Sequence, residues 1–291
     1  MQALLETGDV RRFLSGAFLM TSTPTKPPFL AITAAKKGGV GKTHLMTTVA
    51  DMLALNGCPF VAFQADDKKR LSTLIGAKVT DLRPNPDQVM HDPALVRKSF
   101  TPLYTAASKA MSNGDSVLFD IGADEVENAA NFLKEVDIDE DLVAWKLPAL
   151  VFVLVQAETD AIASAAETIR RFREAMPSAR LVLVENLLDR GPLDALRNAG
   201  PARQQYERQL KPLLTGVERM VMPAILADFW EPFENAGLRF LKALAMDPQE
   251  AAKRLSMEVG DVKIARRAIA VFFRDMHRSL SRLIELPKGG E

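Results

Sequence analysis

The stretch "FLAITAAKKGGVGKTHLMTTVADMLALNG", residues 29 to 57, constrains the fold of this chain more than any other. It begins as an apolar run of strand length and passes through glycines 38, 39 and 41. It then continues with Leu45, Val49, Met52 and Leu53 at helical spacing, and stops at Asn56-Gly57, a usual C-terminal cap. A glycine turn between a strand and a helix places the start of the helix at the strand's carboxyl end.

The same rhythm recurs along the chain. Strand-like runs begin at Phe29 (FLAITAA), Pro59 (PFVAFQA), Ser116 (SVLFDIG), Ala149 (ALVFVLVQ) and Arg180 (RLVLVEN), and a short "RMVMP" ends at Pro223. Longer segments of helical period separate them, among them "ETDAIASAAETIRRFREAMP", with a capping residue expected at Thr159 or Asp160 and an end before Pro177. Six such runs predict an α/β fold with a doubly wound, mostly parallel sheet flanked by helices. Residues 76–113 and 187–218 give no clear period.

Composition sets outer bounds. The 291 residues carry 37 Lys plus Arg against 37 Asp plus Glu, so any attraction to nucleic acid or an anionic membrane must come from a local patch. The single cysteine, Cys58, excludes an intrachain disulfide, and three histidines form no cluster at metal-ligand spacing. The longest apolar run, residues 147–157, falls short of the roughly 20 residues of a spanning helix. The start "MQALLETGDVRRFLSGAFLM" lacks the basic beginning and long apolar core of a secretion signal, and the lone cysteine suits a reducing cytoplasm, the expected location. Residues 1–27 are expected as a short helix and proline-rich linker, and 28–291 as one domain ending in a helical region at about 261–285.

The loop "GGVGKT" at 38–43 carries the chemistry. Glycines permit positive φ and close backbone approach, so successive N–H groups of Gly38, Gly39, Val40, Gly41 and His44 can turn towards phosphate oxygens at a helix N-terminus. Lys42 would reach the β- and γ-phosphates, and the Thr43 hydroxyl would ligate Mg²⁺. The plainer alternative is a flexible, lysine-bearing turn. Lys36 stands where the first glycine of G-x-x-x-x-G-K-[ST] would fall.

"KGGVGKT" resembles the deviant Walker A motif of the ParA/MinD family of P-loop ATPases, which position plasmids, chromosomes, division septa and other cargo. The resemblance implies ATP and Mg²⁺ as cofactors, an ATP-sandwiched homodimer in which Lys37 reaches the partner's nucleotide, and slow hydrolysis until a stimulating or cargo protein adjusts the site. Residue 44 departs from the family pattern, where a Thr or Ser hydroxyl meets the α-phosphate. His44 offers only its backbone N–H there and is expected to have no catalytic role, although its side chain can touch nucleotide.

Carboxylates should accompany the loop. In "SVLFDIGAD", Asp120 resembles the Walker B position, with Gly122 as a γ-phosphate sensor; otherwise Asp120 caps a turn. Asp124 and Glu125 are expected in solvent. In "VAFQADDKKRLSTL", the resemblance sets the family's first aspartate on Gln64 and its second, which orients the attacking water, on Asp66. Asp67 takes that part if the register slips by one, and the bland reading leaves both in solvent. Lys68, Lys69 and Arg70 read as a solvated face.

The resemblance also implies an adenine site at Asn186, at the end of its strand, and at Pro223 after the last strand. Near the C-terminus, Ile264, Ala268, Val271, Phe272, Met276, Leu280 and Leu283 recur at helical spacing among Arg266, Arg267, Arg274, Arg278 and Arg282. Such a helix can lie on a membrane, touch DNA phosphates or simply cover the sheet.

The expected function is therefore an ATP-hydrolysing dimerisation switch. "DIGAD" with "FLKEVDIDEDLV" resembles plasmid-encoded stability and conjugation relatives, which points to plasmid or DNA partition, stability or transfer. Two alternatives stay open: a metabolic P-loop phosphotransferase using Arg83, Arg97 and Lys98 for its acceptor, and a module that binds ATP without hydrolysing it.

Overall fold

Strands buried on both faces read as nearly unbroken apolar runs, and here they assemble into a parallel sheet. The structure, a computed structural model, describes residues 27–76, 79–92, 94–188 and 191–284. The expected N-terminal helix and nearly all of its linker lie outside the described residues. The strands are β1 Leu30–Ala34, β2 Phe60–Ala65, β3 Val79–Asp81, β4 Ser116–Ile121, β5 Ala149–Val155, β6 Arg180–Asn186 and β7 Glu218–Met222. Their order is β3-β2-β4-β1-β5-β6-β7, and every pairing is parallel.

All six expected strands are present. The seventh, β3, pairs Val79 with Ala62 and Asp81 with Gln64 at one edge. Three residues are too few to show a period, so it escaped a pattern-based reading. β1 lies between β4 and β5, and the chain winds to opposite sides from there. That makes the carboxyl ends of β1, β4 and their neighbours the crevice of the fold.

The helices are α1 Lys42–Leu55, α2 Arg70–Ile75, α3 Pro86–His91, α4 Ala94–Lys98, α5 Thr101–Asn113, α6 Val126–Glu135 and α7 Ile138–Trp145. They continue with α8 Thr159–Ala175, α9 Pro201–Gln205, α10 Ala227–Asn235, α11 Phe240–Ala245, α12 Pro248–Leu255 and α13 Val259–Ile284.

Three helical expectations need correction. α8 is capped by Glu158 in an extended conformation, so Thr159 and Asp160 are its first two residues; Asp160 faces the positive end of the dipole instead of capping it. α1 buries every residue from Leu45 to Leu53, not one face, because α11 and α13 cover the side turned away from the sheet. On α13 the buried row is Val262, Ala265, Ile269, Phe272, Met276, Leu280 and Leu283, while Ile264 (56% exposed) and Val271 (43%) face outwards. Of the expected row, Phe272, Met276, Leu280 and Leu283 are buried, whereas Ile264, Ala268 and Val271 each lie one position, about 100° around the helix, before the buried Ala265, Ile269 and Phe272.

Covering α1 from both sides buries an ion pair. Asp51 is fully buried, with Oδ1 3.0 Å from Arg239 Nε and Oδ2 accepting from Leu241 N at 3.0 Å. Burial raises its pKa to about 6, against the pull of Arg239 and the Leu241 N–H. The folded value lies above the ordinary aspartate value of 3.8, so this group favours folding fully below pH 3.8 and loses its contribution as pH rises through 6. The loss is about 3 kcal/mol. Urea unfolding at pH 4 and pH 7 should show the wild type losing more stability over that interval than Asp51→Asn does, by an amount of this order. Parallel pH dependence in the two proteins would contradict the assignment.

Candidate functional site

The turn from β1 into α1 is held in one shape. Gly39 and Gly41 have φ of 76° and 96°, a region that penalises any Cβ. Gly41 is also the N-cap of α1, where no side chain takes a capping bond and no acidic residue occupies the first turn. The helix therefore presents its positive end to the crevice. A Cβ on Gly41 would lie 2.5 Å from Met222 Cε and 2.7 Å from Asn186 Nδ2. Asn186 holds the loop from the far side: its Nδ2 donates to Val40 O at 2.9 Å and its Oδ1 accepts from Leu188 N at 3.1 Å. One N–H and one lone pair of that amide remain for a ligand.

Lys42 folds back over the loop and donates to Ala35 O (3.0 Å) and Lys37 O (3.1 Å). Burial lowers its pKa, and the nearby carboxylates of Asp120 and Asp66 oppose this. Below it lies Asp120, buried at the end of β4, whose Oδ2 accepts from Thr43 Oγ1 at 2.7 Å and whose Oδ1 accepts from Thr33 Oγ1 at 2.6 Å. Burial pushes the Asp120 pKa up, and the two hydroxyls and Lys42 pull it back. A hydroxyl and a carboxylate oxygen this close suit a hard cation that completes its shell with water and phosphate oxygens, the usual habit of Mg²⁺. Thr33 went unnoticed in the sequence, although a polar residue inside "FLAITAA" was the available signal.

The ends of β2 and β4 are clamped together. Gly122 N donates to Ala65 O at 2.7 Å, and a Cβ on Gly122 would approach that oxygen to 2.6 Å and Asp66 Cα to 3.1 Å. Asp66 and Asp67 both line the same cavity of about 470 Å³ as Lys42, Thr43 and Gly122. Burial, then a hydrogen bond with Asp67, raises the Asp66 pKa; that bond lowers the pKa of exposed Asp67. Gln64 points elsewhere. Its amide exchanges hydrogen bonds with Ser72, at 3.1 Å from Ser72 N and 3.2 Å to Ser72 Oγ.

The loop lysines separate. Lys36 reaches Glu167 at 2.8 Å and Glu127 at 3.7 Å, in a network with Arg171, which ties the loop to α6 and α8. Lys37 lies 3.6 Å from Glu158 and 3.8 Å from Asp160, at the start of α8. Glu125, expected in solvent, is instead mostly buried and pairs with Arg83 at 3.4 Å, whereas Asp124 is exposed as expected. Arg83 lines the cavity with them, but Arg97 and Lys98 do not: they pair with Glu135 and Asp92.

A second cavity, of about 540 Å³, adjoins the first. Asn186 and Pro223 both line it, with Met222, Ile225 and Trp230 supplying apolar wall. His44 lines both cavities; its Nε2 is 3.5 Å from Glu234 Oε2, and its ring meets Trp230 edge-on at 5.8 Å. Glu234 and Trp230 belong to α10, which carries no motif that would have marked them.

No protein-family model and no curated protein matches the chain. Similar solved structures include the MinC:MinD cell division protein complex of Aquifex aeolicus, 15% identical over 78% of this chain and 94% of that one, TM-score 0.41. Apo McdA of Cyanothece is 11% identical over 81% and 98%, TM-score 0.46. An ATP complex of a substituted McdA is 10% identical over 79% and 97%, TM-score 0.41. At such identities and scores the function of this chain rests on its own site.

Gly41→Ala should cost about 1–3 kcal/mol, because it adds a strained φ to a contact that displaces Asn186 or Met222. Chemical denaturation measures the loss; a variant as stable as the wild type would show that the loop shape is not fixed at this point.

Proposed function

We propose that the protein is an ATP-binding and ATP-hydrolysing dimerisation switch of the ParA/MinD kind, acting in plasmid or DNA partition, stability or transfer. The observation that carries this reading is the 2.7 Å pairing of Thr43 with buried Asp120, directly beneath a glycine-shaped loop at the uncompensated N-terminus of α1. A glycine turn alone explains the loop. It does not explain why the first hydroxyl of the helix and a buried carboxylate converge below it.

In this reading Lys42 exchanges the carbonyls of Ala35 and Lys37 for β- and γ-phosphate oxygens, and the N–H groups of residues 38–44 surround the phosphates. Thr43 and Asp120 hold Mg²⁺, which neutralises phosphate charge. Asp66, fixed by the clamp at Gly122, orients water for in-line attack, with Asp67 as its hydrogen-bonded neighbour. The base enters the second cavity, where Asn186 and Pro223 meet it. Lys37 leaves Glu158 and Asp160 for the nucleotide of a second copy, so ATP favours the closed dimer and hydrolysis releases it.

On α13 the exposed Arg267, Arg278 and Arg282 offer a surface for DNA phosphates, and a cargo or stimulating protein would act through the dimer. No described helix is long and apolar enough to cross a membrane.

ATP turnover and sedimentation, with and without nucleotide, test the roles separately. Lys42→Ala should lose both activities. Lys37→Ala should bind ATP yet fail to self-associate, and Asp66→Ala should associate with turnover reduced roughly 100-fold. ATP-dependent association of Lys37→Ala at the wild-type level would refute the two-lysine assignment; normal hydrolysis by Asp66→Ala would move the role to Asp67. Phosphate recovered on an added acceptor instead of in solution would favour the phosphotransferase.

DNA binding should weaken steeply between 50 and 200 mM salt, as expected of phosphate contacts. Salt-independent binding would exclude the arginine surface.

A further inference from the structure

The two cavities share a neck formed by Gly39, His44, Arg70, Asn186, Leu188 and Glu234. Gly39 and Asn186 belong to the loop and its brace, and Leu188 is apolar. The remaining three are polar and adjoin one another. The Glu234 side chain, only 18% exposed, has Oε2 3.5 Å from His44 Nε2 and Oε1 4.0 Å from Arg70 Nη1. Contact with His44 and the charge of Arg70 hold this carboxylate below its usual range against the effect of burial, so it stays ionised.

An ionised carboxylate repels an incoming phosphate, so Glu234 is not itself a phosphate ligand. The neck also separates the phosphate-facing chamber from the more apolar one. In a nucleotide spanning both chambers, the part between phosphate and base is a sugar. Ribose hydroxyls are hydrogen-bond donors, and an ionised carboxylate accepts without needing to donate. The Arg70 guanidinium and an imidazole N–H of His44 suit the adjoining α-phosphate.

We propose that Glu234 reads the ribose of the bound nucleotide, accepting from its hydroxyls while His44 and Arg70 turn towards the α-phosphate. The proposal rests on reading the paired cavities as a nucleotide site. It makes Glu234 a specificity-determining residue for ribonucleotides over deoxyribonucleotides, and gives His44 a part in positioning that carboxylate before the ligand arrives.

Dissociation constants for ATP, 2′-deoxy-ATP, 3′-deoxy-ATP and inorganic triphosphate, measured by calorimetry with Mg²⁺ on the full chain, test it. Wild type should bind ATP about tenfold more tightly than at least one deoxy analogue, as the loss of a hydrogen bond to a charged group requires. In Glu234→Ala that ratio should fall to within about threefold, with thermal melting to check folding. Glu234→Gln, closer in shape, should also narrow the ratio and serves if the alanine variant does not fold. Equal affinities in the wild type, or a ratio that persists in the folded variants, would overturn the role of Glu234 and leave the nucleotide site standing. If neither ATP nor triphosphate binds the wild type, both readings fall together.

Discussion

The carboxylate of Asp120 is the point on which the crevice depends. It is 2% exposed, and its two oxygens take hydroxyls from opposite directions, Thr33 on the central strand and Thr43 on the first turn of α1. Three elements are thereby registered on one buried charge: β4, β1 and α1. A buried acceptor left without its donor costs about 1–3 kcal/mol, so neither threonine can be lost cheaply. The glycine turn can be thin and strained because the elements on both sides of it are fixed in this way.

A second set of contacts determines what α1 can do. Its far side is enclosed by α11 and α13, and near its start His44 meets Trp230, which stacks on Phe240 at 4.2 Å between centroids. Further along, Asp51 receives Arg239 and the N–H of Leu241. The C-terminal third of the chain therefore grips the helix that starts at the glycine loop, at both ends of its buried face. Any displacement of the loop along the helix axis would be felt in α10 and α11, and any partner bound there would act back on the loop.

Much of the fold was legible because its signals are local. Six of the seven strands are apolar runs bounded by turn residues, and the loop at 38–43 lies where a strand period gives way to a helical one. Gly41, Thr43, Lys42 and Asp120 do converge at one site. What escaped was set by distant parts of the chain. Thr33 acquires its meaning only when β4 is laid beside β1, 87 positions away in sequence. Glu234 is brought to the neck by the path of α10, and Lys36 finds its partners on α6 and α8. Ile264, Ala268 and Val271 were misplaced because arginines and apolar residues alternate closely on α13, and packing against α1, α10, α11 and α12 selects the residues that are buried. Glu125 reads as solvated in the sequence because nothing there brings Arg83 to it.

Trp230 sits on the wall of the larger cavity, 2% exposed, with a histidine at its edge and a phenylalanine against its face. The only other tryptophan, Trp145, lies on α7 against Tyr104 and lines neither cavity. The chain thus carries its own optical reporter. Displacing His44 or moving α10 changes the quenching and polarity around one indole while the other stays as an internal reference, so occupancy of the crevice can be followed by intrinsic emission without a label.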